Sequence, residues 1–203
     1  MGKVYLATKN NLIKLKNSIK EYENGQVLLE QKELILKNKL EAYKVEESKL
    51  KEKVNILLGE AEDTLKKAVV DVGFDELIDI SNAIRDDDTV GIKYISLMGI
   101  EIPSVISSET KAELNYGLYH TTAAVDESII KFTQVKGLVI KLAELNNIIV
   151  RLQKAIEKVS RRSNALKEVI IPREEMLAKR ILETLEEEER DEFVRLKVVK
   201  KKQ

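Results

Sequence analysis

Apolar residues in the second half of this chain recur at alternating steps of three and four: Val135, Leu138, Leu142, Leu145, Ile149, Leu152, Ile156 and Val159, then Leu166 and Ile170. A period of 3.5 residues keeps one narrow stripe of an α-helix turned toward a partner helix and winds the pair into a left-handed supercoil. Ser163 is the polar residue on that stripe. So narrow a stripe cannot enclose a globular core, and it is buried only against a second helix of matching pattern.

The first half supplies that helix. Leu12, Leu15, Ile19, Tyr22, Leu29, Leu36, Leu40 and Tyr43 keep the same alternation, with Gln26 and Glu33 as polar interruptions; past Glu47, Leu50, Val54, Leu57, Ala61, Leu65, Ala68 and Val72 continue it with one irregular step. Each half is therefore predicted to be a helix of roughly 60 residues, about 90 Å long at a rise of ~1.5 Å per residue. The expected fold is all-α, a long antiparallel two-helix left-handed coiled coil with a short β-hairpin or irregular insert in the middle. Gly25, Gly59 and Gly137 each weaken a helix by ~1 kcal/mol relative to Ala, and close backbone approach or local bending would account for them. Pro172 is expected to kink or break the second helix, because its ring removes a backbone hydrogen bond.

Between the halves, over residues 74–122, the helical period is lost and Asp86, Asp87, Asp88, Gly91, Gly99, Pro103 and Gly117 punctuate the chain. This is expected to be the sole non-helical region. Within it, Ile92 to Pro103 is rich in β-branched residues and partly alternating around a glycine, which predicts a short hairpin that must lean on something larger; the alternative is a plain linker between helices. The organisation expected is an N-terminal coiled-coil helix over 1–73, a connecting region over 74–122 and a C-terminal coiled-coil helix with a basic tail over 123–203.

Composition narrows the function. There is no cysteine and one histidine, His120, which excludes disulfides and thiolate metal sites and leaves no histidine cluster. No apolar run approaches the ~20 residues needed to span a bilayer, so no direct membrane insertion is expected. Lys plus Arg and Asp plus Glu both total 35, a balance that argues against a general nucleic-acid binder. The basic charge gathers at the ends, with Lys3, Lys9, Lys14, Lys16 and Lys20 near one terminus and Lys197, Lys200, Lys201 and Lys202 at the other. Gly91 and Gly99 lack the spacing of a phosphate loop, and no nucleophile–base pair emerges, so neither catalytic residues nor cofactors are expected.

Two late stretches, SRRSNALKEVIIP over 160–172 and LEEEERDEFVRLKVVK over 185–200, resemble the signature of the D subunit of the V-type and A-type ATPases. The matching residues are Arg161, Arg162, Asn164, Ala165, Leu166, Pro172, Glu189, Arg190, Arg195, Leu196, Lys197 and Lys200; Ser163 stands where that family usually has Val, and Lys167 where it usually has Glu. In the middle, Met98-Gly99-Ile100-Glu101-Ile102-Pro103 is similar to the family's hairpin segment, and Tyr116-Gly117-Leu118-Tyr119-His120 to its Y-G-Y-L-H-like segment. The family's P-T-R-x-x-L opening appears here only as Ala7-Thr8-Lys9-Asn10-Asn11-Leu12.

The resemblance implies a central-stalk rotor with no active site of its own. Both termini would insert into the A3B3 hexamer of A and B subunits, which hold the nucleotide. The lower part would meet the F subunit and the C or d subunit above the membrane ring, at the cytoplasmic face. The candidate hexamer contacts are then Lys3, Lys9, Lys14, Arg190, Arg195, Lys197 and Lys200, for which a solvated helix face is the competing explanation. Arg161, Arg162, Asn164 and Pro172 form a candidate partner or structural motif, with Arg161 and Arg162 otherwise pairing with Glu157, Glu168 or the opposed helix. Met98, Gly99, Ile100 and Pro103 are a candidate regulatory hairpin. A coiled-coil adaptor unrelated to ATPases would explain the two seams but not the late motif.

Overall fold

The computed structural model describes residues 6–84, 90–107, 117 and 121–202. Lys3, the Asp86 to Asp88 run, Tyr116 and His120 lie outside the described residues. The elements are α1 (Lys9–Val72), α2 (Phe74–Ala83), β1 (Val90–Leu97), β2 (Ile100–Ser107), α3 (Ala123–Ala165) and α4 (Ile171–Lys202), with a single π-helical turn, Leu166–Ile170, joining α3 to α4. The architecture is all-α, an antiparallel two-helix coiled coil carrying one small hairpin. Contacts divide the chain into two units, residues 1–36 with 156–203 and residues 37–155.

In the first unit the start of α1 lies against α4. Leu12, Leu15 and Ile181 form a buried cluster, flanked by Ile19, Leu177, Ala178 and Leu185. In the second unit the end of α1 meets the start of α3. There Ala68 and Val125 are buried together, with Val72, Leu77, Ile80 and Ile129 packed around them. The chain therefore runs antiparallel in both units; Leu12, Leu15 and Ala68 lie on the stripe that the sequence displays, whereas Val125 and Ile181 lie outside the stretches it traced.

Two seam assignments shift. Leu65 is 37% exposed while Thr64 is buried at 5%, because the strict alternation from Ala61 to Ala68 passes through position 64. The Thr64 hydroxyl donates to the Ala61 carbonyl at 2.8 Å, and Ser128 does the same to Val125 at 2.8 Å. Each hydroxyl is satisfied within its own helix, so a polar residue is buried without needing a partner across the seam. Tyr22, also placed on the stripe, is 36% exposed.

The connecting region is not wholly non-helical, as its lost period had implied. Phe74–Ala83 forms α2, ended on its N-terminal side by Gly73 at φ 99, a conformation that favours glycine. Asp75 and Glu76 occupy the first turn, where carboxylates complement the helix dipole. Leu77 and Ile80 bring this short helix onto the Ala68 and Val125 cluster.

The hairpin pairs antiparallel from Val90 opposite Ser107 to Leu97 opposite Ile100. Met98 at φ 54 and Gly99 at φ 80 form its two-residue turn. Positive φ at both positions matches the right-handed twist of the strands, and only the second is occupied by the residue that takes it without strain.

Close approach does not explain the helix glycines. A Cβ built at Gly25, Gly59 or Gly137 meets nothing within 4 Å. Replacing each by alanine is expected to raise stability by roughly 0.5–1 kcal/mol, measured by urea unfolding followed at the helical circular dichroism band. In contrast, Leu152→Ala empties a site that is 0% exposed and should cost ~2–5 kcal/mol in the same assay.

Candidate interaction surfaces

Among the described residues no three His, Cys, Asp or Glu side chains gather where they could hold a metal ion. No helix among them is long and apolar enough to cross a membrane. Three exposed surfaces stand out among the described residues.

The first is the hairpin. Sequence spacing gave no hint of what holds it, and the structure supplies Arg151 of α3. Its guanidinium donates to the Glu101 carbonyl at 2.8 Å and lies 5.1 Å from the centroid of the Tyr94 ring. One side chain thus grips both strands, β2 through the backbone and β1 through a cation–π contact. Arg151 and Glu101 are 50 residues apart in sequence, a separation that no local periodicity reports.

Apolar packing assists the arginine. Ile102 and Pro103 of β2 are buried, and with Ile95, Leu50, Leu145 and Ile148 they line a groove of about 580 Å³. Ile148 is 5% exposed although it sits beside the seam residue Ile149; the covering strand accounts for a burial that the heptad alone does not. Ile100 is partly buried, while Met98 and Gly99 are exposed at the tip. The rest of β1 faces outward, with Ile92 62% and Tyr94 56% exposed.

The second surface is the end carrying both termini. Lys9 Nζ lies 2.7 Å from Glu189 Oε1, which ties α1 to α4 inside the first unit. The hydrogen bond and charge of Glu189 raise the Lys9 pKa above its ordinary 10.5, and Lys9 lowers that of Glu189 below its ordinary 4.5. Arg190 stands 4.0 Å from Glu186, and Lys197 lies 4.4 Å above the Phe193 ring. Lys14, Arg195 and Lys200 are exposed. So are the large apolar side chains Phe193, Val194, Leu196, Val198 and Val199, which the basic character of the tail had masked.

The third surface was also missed in the sequence. On α1, Asn24, Val27, Leu28, Gln31, Leu34 and Ile35 share one outward face, all exposed. None carries a charge, in a chain that is 34% charged. A second stripe, repeating every seven residues but lacking charge, was the signal that could have revealed it. Of the late motif, Arg161 pairs with Glu157, Arg162 and Asn164 are exposed, and Pro172 is half-buried.

The described residues thus form paired helices that present three exposed surfaces. Residues 11–201 match the family model for the ATP synthase D subunit. Similar proteins are the V-type ATP synthase D subunit of Thermotoga neapolitana, 34% identical over 195 residues covering 96% of each chain, and the A-type ATP synthase D subunit of Pyrococcus horikoshii, 37% identical over 196 residues covering 95% of this chain and 92% of that one. The chain belongs to the ATP synthase D-subunit family.

Two outcomes are expected. In Arg151→Met, amide exchange in residues 90–107 should accelerate at least tenfold, while the seam amides of α1 and α3 keep their protection. The Lys9–Glu189 pair adds stability only while both groups are charged. The Glu189 part is present above pH 4.5 and lost as pH falls through its lowered value, and the Lys9 part is present below pH 10.5 and lost as pH rises through its raised value. The melting difference between the parent and Glu189→Gln should therefore be flat near neutrality and vanish toward both extremes.

Proposed function

We propose that this chain is the central-stalk rotor subunit of a V/A-type rotary ATPase, transmitting torque between the A3B3 hexamer and the membrane rotor ring. It would couple ATP hydrolysis or synthesis to ion transport without catalysing either. The observation that carries this reading is the match to the ATP synthase D subunit along nearly the whole of a chain whose described residues form a coiled coil. A shaft needs stiffness, and two supercoiled helices supply it by burying a largely apolar seam.

The three surfaces suit three kinds of neighbour. A tip that turns inside a sleeve must slip from one position to the next, and exposed Lys14, Arg195, Lys197 and Lys200 offer screened contacts that each hold weakly. Lys9 is less free for this, being engaged by Glu189. A neighbour that turns with the shaft must not slip, and an uncharged face such as that from Asn24 to Ile35 suits a contact of that kind; the F subunit is the candidate neighbour of the lower part. The hairpin around Met98, Gly99, Ile100 and Pro103 is proposed to modulate hydrolysis or to anchor partners, with the C or d subunit below it. The chain would thus sit at the cytoplasmic face of a membrane, attached through the complex.

The test is reconstitution with a purified cognate hexamer. Co-elution of one copy per A3B3 hexamer together with a changed ATP turnover is expected. A folded chain that neither co-elutes nor alters turnover would overturn the assignment and leave an unrelated coiled-coil adaptor. Within the assembled complex, Lys14→Glu combined with Lys200→Glu should weaken binding several-fold, and the loss should shrink as salt rises.

A further inference from the structure

The seam of the second helix does not run through unbroken. Up to Leu166 the steps of three and four hold, with Val159 and Ser163 buried and Leu166 half-buried. Continued without interruption, they would next reach Ile170, Arg173, Leu177, Arg180 and Thr184. The structure instead buries Ile171 at 8% and Ile181 at 4%, half-buries Ile170, Glu174, Leu177, Ala178 and Leu185, and leaves Arg173, Arg180 and Thr184 exposed, so the two fully buried positions fall one residue past the extrapolated stripe. The seam beyond Leu166 has moved on by one residue.

The π turn accounts for the shift. Across Leu166–Ile170 the backbone closes on the fifth residue back, and the Ile171 amide donates to the Leu166 carbonyl. A π turn takes in one residue more than an α turn, so it absorbs one surplus residue without rotating the helix beyond it. Were these residues α-helical, everything from Pro172 onward would point about 100° away, the angle of one residue in a 3.6-residue turn. Arg173 and Arg180 would then lie against α1 in place of Glu174 and Ile181.

Pro172 fits the same arrangement. It is the second residue of α4, directly after the π turn, so the one amide its ring removes from the ladder falls at the widened turn, and the expected break becomes a continuous helix. From these observations we infer that the Leu166–Ile170 turn is a register-correcting joint. It holds the C-terminal segment at the one angular phase that keeps Ile181 in the Leu12 and Leu15 cluster, and so fixes the direction in which Phe193, Leu196 and Val199 are presented. This inference rests on the chain alone and stands or falls independently of the rotor reading.

The chain contains no cysteine, so engineered pairs report register without background. In the full chain, Leu15→Cys should cross-link on oxidation with Ile181→Cys and at least tenfold less with Arg180→Cys. Preference for Arg180→Cys would mean an uninterrupted α-helix and would overturn the joint. A second variant removes the surplus residue itself. Deleting Val169, which is 61% exposed, together with Pro172→Ala should convert the turn to α-helix, keep the cross-link at Ile181→Cys and leave the melting temperature unchanged or higher. If the cross-link moves instead to Leu182→Cys, the parent held no absorbed residue and the inference fails.

Discussion

Burial along a single seam between two antiparallel helices is the interaction on which everything else in this chain depends. A two-helix layer encloses little volume, so each seam residue contributes a larger share of the total than a residue in a globular core. Leu36 and Leu152 are fully buried, yet most large side chains in the molecule keep part of their surface in water. The hairpin and α2 cannot stand alone at their length. Both are ordered by borrowing the same seam, α2 through Leu77 and Ile80 and the hairpin through Ile102 and Arg151.

This dependence explains which parts were legible in the sequence. The alternation of apolar residues is a direct imprint of the seam, so the helices, their pairing and most buried positions could be read from it. The hairpin was readable because Met98-Gly99 separates two β-branched runs. What could not be read arises from contacts distant in sequence or from backbone geometry. Arg151 looks like any other basic residue on a helix until Tyr94 and Glu101 are placed beside it. The helix at Phe74–Ala83 was hidden because ten residues give too few turns for a period to emerge.

The shift beyond Leu166 is an instructive case, because the clue was present and pointed elsewhere. Proline within a helical pattern ordinarily signals a kink. Here the two arginines at positions 173 and 180, seven apart and both falling on the extrapolated stripe, were the contrary signal. Two arginines on the seam are costlier than the half-buried Glu174 that stands there instead, and one surplus residue in a π turn is a modest local perturbation. The structure takes the second course. The candidate surfaces were legible to different degrees for a related reason: charge is conspicuous in a sequence, while its absence along the face from Asn24 to Ile35 is not.

The placement of β1 bears on how the chain fares before it is assembled. β1 pairs on one side only, with β2, so among the described residues its other side is a row of unpaired amides and carbonyls bordered by Ile92, Tyr94 and Ile95. A strand edge of that kind is a template for pairing with a second chain. Lys93, at the middle of the strand, places a charge that opposes stacking of one copy on another. A freshly made chain therefore carries its own modest safeguard against aggregation, one that matters most while the protein waits for its neighbours.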